Sequence, residues 1–145
     1  MKPNSADMRC YVSVNRHRIS FDRVSTWILS SYWGKWQTEA QVKKALQNST
    51  VFGLYILKRG EPEPIFGGFA RVISDNAAVS VISDVYIDEP YRGMGFGRAL
   101  MESVVAHPSV ARTICVLATR EGAGFYEKFG FGPMVGNALQ RSPTK

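Results

Sequence analysis

Histidine and cysteine are scarce in this chain, with two of each in 145 residues. No His, Cys, Asp or Glu cluster has the spacing of metal ligands, so no metal centre is expected. Cys10 and Cys115 sit in separate apolar, strand-like runs, which suits buried thiols better than a disulfide or a metal pair. No stretch approaches the ~20 apolar residues of a membrane span. The start, Met1-Lys2-Pro3-Asn4-Ser5-Ala6-Asp7, has no apolar region of the kind a secretion signal needs. A cytoplasmic protein without membrane attachment is the expectation. Clustered basic charge is also missing. The net charge is +6, yet the densest basic stretch is Arg16-His17-Arg18 with Arg23, short enough for a solvated loop. Nucleic-acid binding is therefore disfavoured. A soluble basic surface and attraction of an anionic ligand both remain open.

What is present suffices for one domain, residues 1–145, with one core: 45% of the residues are hydrophobic. There is no internal repeat, low-complexity segment or linker. Residues 9–14 read as a strand. Ser20 is placed to cap a helix through Val24, Trp27, Ile28 and Tyr32, ended by Gly34. Thr38 with Gln41 has the capping-box pattern, and Val42, Ala45 and Leu46 form the apolar stripe of a second helix. Strands follow over 51–57, 65–73 and 79–87. A helix over 96–106 ends near Pro108. The apolar run 113–118 suits a strand buried on both faces. A short helix over 124–129 precedes a last strand from Phe131. The order β-α-α-β-β-β-α-β-α-β predicts an α+β (α/β) fold, with a mixed, partly antiparallel sheet flanked by helices.

The most informative segment is Arg92-Gly93-Met94-Gly95-Phe96-Gly97-Arg98, set between the strand 79–87 and the helix that follows. Glycines let backbone N–H groups approach a ligand closely, and a helix start favours negative charge. With Arg92 and Arg98 beside it, the turn suits a phosphate or pyrophosphate. The plain alternative is a tight strand-to-helix turn that binds nothing. The segment is no Walker loop, since Gly97 is followed by Arg98 and Ala99, and its spacing is not that of a dinucleotide-binding turn.

A second motif lies downstream: Gly124-Phe125-Tyr126-Glu127-Lys128-Phe129-Gly130-Phe131. Arg92, Gly95 and Gly97 fit the Arg/Gln-x-x-Gly-x-Gly/Ala pattern of the GNAT superfamily of N-acetyltransferases. The second motif is similar to that family's Tyr-Glu-Lys-x-Gly-Phe segment. With the element order, the chain resembles a GNAT protein over about residues 9–135. Ser31-Tyr32-Trp33 and Leu117-Ala118-Thr119-Arg120-Glu121 resemble a small bacterial branch of unassigned substrate. The chain departs from many family members in having Thr119 for asparagine and Gly122 for alanine. Glu121-Gly122-Ala123 stands where the related branch often has Asp-Ala-His, and the tail after Phe131 is short.

The resemblance implies acetyl-CoA as acyl donor and a primary amine as acceptor, joined by direct transfer. It assigns the pyrophosphate to Arg92, Gly93, Met94, Gly95, Phe96, Gly97 and Arg98, and the pantetheine arm to the backbone of Val85, Tyr86 and Ile87. Thr119, Phe125 and Lys128 complete the implied cofactor contacts. Tyr126 is the implied acid for the leaving thiolate. The reference phenol pKa of about 10 exceeds a thiol's 8.5, so transfer is uphill by roughly 2 kcal/mol, which is accessible. The competing reading packs Tyr126 in a core with Phe125 and Phe129. Asp84, set among Val81, Ile82 and Val85, is the first candidate base, because desolvation there would raise its pKa. A neighbour-bonded carboxylate is the equal alternative. Glu89, Glu121 and ordered water also stay open, whereas His17 and His107 are poor candidates. Tyr32, Trp33 and Trp36 are the expected acceptor wall, without distinguishing amino acid, polyamine, aryl amine, antibiotic or protein N-terminus. An acyl-CoA-binding sensor without turnover is the second reading, and a basic nucleic-acid-binding protein the third. A homodimer is left open.

Overall fold

The computed structural model describes residues 5–144. Met1 to Asn4, on which the expectation about a secretion signal partly rests, lie outside the described residues. Five strands form one sheet in the order β1-β2-β3-β4-β5: β1 Met8–Ser13, β2 Thr50–Lys58, β3 Ile65–Ser74, β4 Val79–Ile87 and β5 Ile114–Leu117. Pairing is antiparallel from β1 through β4 and parallel between β4 and β5. Two hairpins and one helical crossover account for that change, as the α+β expectation required.

Helices cover both faces. On one face α3 (Phe96–Ala106) buries Phe96, Leu100, Met101 and Val104 against Phe52, Leu54, Ile56, Ala70, Val72 and Ile82. On the other, α1 (Phe21–Ser30) and α2 (Glu39–Gln47) bury Val24, Trp27, Ile28, Val42 and Leu46 against Val51, Tyr55, Phe66 and Phe69. Trp27 stacks on Phe66, Phe69 and Tyr86 at centroid distances of 5.4, 6.0 and 5.0 Å. The capping box of α2 forms as its sequence demands: Gln41 N–H donates to Thr38 Oγ1 at 3.2 Å, and Thr38 N–H donates to Gln41 Oε1 at 2.7 Å.

Several boundaries differ from the sequence reading. Helix α1 stops at Ser30, because Ser31 is extended and its Oγ donates to the Ile28 carbonyl at 2.7 Å. Pro108 does not only end a helix. It also opens the short α4, Pro108–Ala111, where His107 is the N-cap and its Nδ1 accepts from Ser109 N–H at 3.2 Å. Strand β5 is an edge strand and is not buried on both faces; Ile114 is 75% exposed. The last helix, α5, is Ala123–Glu127. No strand starts at Phe131 among the described residues. Gly130 has φ +89°, and Gly132 and Pro133 follow, a run that neither favours extended pairing nor supplies every donor.

Candidate active site

Strand β4 creates the site by changing partners along its length. Its pairing with β5 runs only from Val79↔Ile114 to Ile82↔Leu117. Beyond Ile82 it stays paired with β3 through Ile87↔Gly68, and among the described residues no strand lies beside its other edge. An extra residue falls at the same point. Arg71 pairs with Asp84 while Val72 pairs with Ile82, leaving Ser83 as a bulge. The bulge inverts the inside–outside alternation. Ile82, Val85 and Ile87 all pack on the α3 side, and Tyr86 on the α1 side. Asp84 thereby escapes the apolar core that strict alternation with Ile82 would impose.

Asp84 is 4% exposed, and both its carboxylate oxygens are engaged. Arg71 Nε donates to Oδ2 at 2.6 Å, and Trp33 Nε1 donates to Oδ1 at 2.6 Å. The buried Arg71 guanidinium is completed by Ser49 Oγ at 3.0 Å and Ser83 Oγ at 2.6 Å. A buried ion pair in which each guanidinium nitrogen has a hydrogen-bond partner is the form in which two charges can stay out of water. Trp33 comes from the turn after α1, which Gly34 shapes. A Cβ at Gly34 would lie 2.2 Å from the Ile28 carbonyl oxygen, so only glycine lets this segment fold back on the helix end. Trp36 Nε1 donates to the Trp33 carbonyl at 3.0 Å.

Where β4 and β5 part, a cleft of about 470 Å3 opens. Tyr32, Trp33, Trp36, Ser83, Asp84, Val85, Leu117, Ala118, Thr119, Arg120, Tyr126 and Gln140 line it. The expected acceptor residues, both expected catalytic residues, Val85 and Thr119 therefore meet in one place. Tyr126 projects from α5, with Phe125 edge-on at 5.1 Å and Phe131 at 6.2 Å. Its hydroxyl makes no hydrogen bond among the described residues. Burial pushes its phenol above the ordinary value of 10.0, and the neighbouring Tyr32 adds to this. Thr119 Oγ1 donates to the Glu121 carbonyl, which ties down the loop after β5.

The glycine turn lies beyond the far end of β4 and does not line this cleft. Gly93 and Gly95 have φ +75° and +84°, the left-handed backbone that glycine adopts without penalty, and Gly95 is the N-cap of α3. The amide groups of residues 93–98 donate to no acceptor among the described residues. Phe125 packs against Gly97, where an added Cβ would sit 3.4 Å from its ring. Arg92 turns back on β4, its Nε donating to the Ile87 carbonyl at 2.8 Å and its guanidinium 5.1 Å from the Tyr86 ring. Arg98 pairs with Glu102 at 3.0 Å on the surface, and Lys128 is exposed.

An amide-rich helix start, a parted pair of parallel strands and a tyrosine beside them form one continuous feature along β4 and β5. The profile of the acetyltransferase (GNAT) domain matches residues 51–133, which span that feature. The chain belongs to the GNAT acetyltransferase family. A GNAT-family acetyltransferase structure from Xanthomonas campestris pv. campestris superposes with a TM-score of 0.74, at 28% identity, covering 90% of this chain and 94% of that one. An uncharacterized N-acetyltransferase of Pyropia yezoensis is 31% identical over 93 residues, 63% of this chain and 53% of its own length. Serotonin N-acetyltransferase 2, chloroplastic, of Oryza sativa subsp. japonica is 31% identical over 96 residues, 64% of this chain and 47% of its own. The chain thus matches about half the length of these curated relatives. Among the described residues there is no group of three His, Cys, Asp or Glu able to hold a metal. No helix among them is long and apolar enough to cross a membrane.

Arg71, Ser83 and Gln140 are site residues that sequence reasoning did not single out, and Leu117, Ala118 and Arg120 were quoted only within a segment of the resemblance, without a site role. Arg71 carried a signal, as a lone charge inside the apolar run Phe69-Ala70-Arg71-Val72-Ile73. A buried charge needs a partner, and Asp84 was the acidic residue set among apolar neighbours on the next strand. Nothing local marks Ser83 as a bulge or Gln140 as a wall of the cleft.

Proposed function

We propose that this protein moves an acetyl group from acetyl-CoA to the primary amine of an acceptor held in the cleft between β4 and β5. The observation that carries the reading is the parting of β4 from β5 at Ile82 and Leu117, with Tyr126 in the lining of the cleft and the glycine turn following β4. The amides of residues 93–98, without an acceptor among the described residues at a helix start, suit a pyrophosphate. The unpartnered edge of Val85, Tyr86 and Ile87 suits the amide-bearing pantetheine arm, which can pair with it as a strand would. When bound, the donor supplies a thioester.

The chain's own residues then have separate tasks. A β4 amide near Val85 stabilises the charge that develops on the thioester oxygen. Tyr126 gives its proton to the departing sulfur. Its raised pKa keeps the phenol protonated through neutral pH, the state an acid must be in. Asp84 accepts the amine proton, using lone pairs not taken by Arg71 and Trp33, since a carboxylate has about four acceptor sites. The indole and phenol rings of Trp33, Trp36 and Tyr32 form the wall against which the acceptor lies.

The test is a thiol-release screen across amine classes, run beside an acetyl-CoA thermal-shift titration. Because a rice relative is named for serotonin, serotonin belongs in the panel. Acetyl-CoA at 100 times its dissociation constant is expected to add about 2.7 kcal/mol of stability. A melting point that acetyl-CoA leaves unmoved overturns donor binding. A shift without thiol release from any amine would instead mark an acyl-CoA sensor.

A further inference from the structure

We infer that the acceptor carries an acidic group beside its amine, and that Arg120 is the specificity-determining residue that holds it. The inference rests on the acetyl-transfer reading and names the acceptor class for that same cleft.

Two charged side chains line the cleft, Asp84 and Arg120, and they differ in what balances them. The Asp84 charge is matched inside the protein by Arg71, whose side chain is 10% exposed and is not part of the lining. Arg120 has no such match. Its guanidinium lies 5.0 Å from the centre of the Tyr32 ring, and it makes no ion pair or hydrogen bond among the described residues. The cleft therefore presents one uncompensated positive charge. It is held by a ring contact that leaves all five N–H donors of the guanidinium unused. That planar fork matches a carboxylate in two parallel hydrogen bonds.

The same charge works against polyamines, whose second ammonium would face a like charge. Tyr32, Trp33 and Trp36 add a flat apolar wall, so the favoured acceptor has an apolar or aromatic body as well. An aromatic α-amino acid combines all three features: amine, acid and ring.

The experiment compares phenylalanine with phenethylamine, which share body and amine and differ by the carboxylate. Turnover is followed by thiol release at equal concentrations of free-base amine. Binding to the CoA complex is followed separately by quenching of Trp33 and Trp36 fluorescence, a readout that does not need turnover. A charge-assisted pair supports a preference for phenylalanine of roughly 10- to 100-fold. Arg120→Gln, at an exposed position, is expected to erase that preference by raising the KM for phenylalanine, with the acetyl-CoA KM unchanged. Equal binding of the two probes overturns the inference, as does a preference that survives Arg120→Gln. So does a variant whose defect lies in the acetyl-CoA KM, which would place Arg120 on the donor. Discriminating binding without thiol release from any amine would uphold the acid-binding role of Arg120 while overturning acetyl transfer.

Discussion

The two halves of β4 share one backbone and one partner, β3, yet differ on their other edge. Val79 to Ile82 are paired to β5, and the buried Ser80 and Ile82 there serve packing. Ser83 to Ile87 have no strand on that edge, and their residues serve the cleft and the route to the glycine turn. The lesson is that function here sits where sheet formation stops. Backbone groups that are not spent on a neighbouring strand are left for a ligand, and a buried carboxylate that would be intolerable in the paired half is accommodated one bulge later.

The largest effect expected from the open half is on chemistry. Tyr126→Phe keeps the ring among Phe125, Phe129 and Phe131 and removes the proton. Turnover should fall roughly 10²–10⁴-fold with acetyl-CoA affinity little changed. A rate within about twofold of the parent protein would return Tyr126 to a packing role and weaken the contrast between the halves.

Asp84 comes next, because it belongs to the fold and to the cleft together. Asp84→Ala leaves Arg71 buried without its counter-charge, which should cost roughly 3–5 kcal/mol in chemical denaturation. Asp84→Asn keeps an acceptor for Trp33 and is the sharper probe of proton transfer. If Asp84 is the base, the folded Asn variant loses turnover and regains it as pH rises and the amine deprotonates unaided. Undiminished turnover in that variant would confine Asp84 to structure.

A pair of substitutions then sets the halves against each other. Ile82→Ala, in the paired half, should cost roughly 2–4 kcal/mol of stability through a core cavity, with acetyl-CoA affinity unchanged. Gly95→Val, in the turn that the open half leads to, has clear space around its Cβ but demands φ +84°. It should cost roughly 1–2 kcal/mol in strain and weaken acetyl-CoA tenfold or more by crowding the amides. Calorimetric titration beside thermal melts separates the two. A loss of affinity in Ile82→Ala equal to that in Gly95→Val would break the comparison.

The smallest effect is on alkaline stability. Burial holds the Tyr126 phenol above its unfolded value near 10, and Tyr32 adds to the shift. A raised pKa means the folded state keeps its proton longer. The associated stability is full below pH 10 and is lost as pH rises through the folded value. Tyr55 behaves alike, burial raising it most, Arg18 opposing and Tyr11 adding. Melting points above pH 10 should therefore decline less steeply in Tyr126→Phe than in the parent. Identical slopes would mean Tyr126 titrates as a solvated phenol.

Much of this contrast was legible before any coordinates. The glycine turn announced itself because a strand, positive-φ residues and a helix start occur in an order that few other structures need. Thr38 and Gln41 did so because a capping box is local chemistry. What escaped reading was non-local or rested on register. The Arg71–Asp84 pair joins neighbouring strands thirteen residues apart, and Ser83 gives no local hint that it is unpaired. The apolar run after Thr113 looked doubly buried, but β5 ends the sheet and leaves Ile114 to solvent. A strand at Phe131 was expected from one aromatic residue, and the glycines and proline beside it prevailed.

Ser83 also sets how this gene can tolerate change in length. The single supernumerary residue fixes the phase of everything from Asp84 to Ile87. Losing one residue between Asp84 and Ile87, Val85 for instance, would turn Tyr86 into the apolar layer under α3 and swing Ile87 out of it, whereas losing Ser83 itself would remove the bulge and keep the phase. The connection between β2 and β3, with Gly60, Pro62 and Pro64 and little burial, can absorb the same event as a shorter loop. Among natural variants of this chain, insertions and deletions should collect in that connection and be absent from the four residues after Ser83.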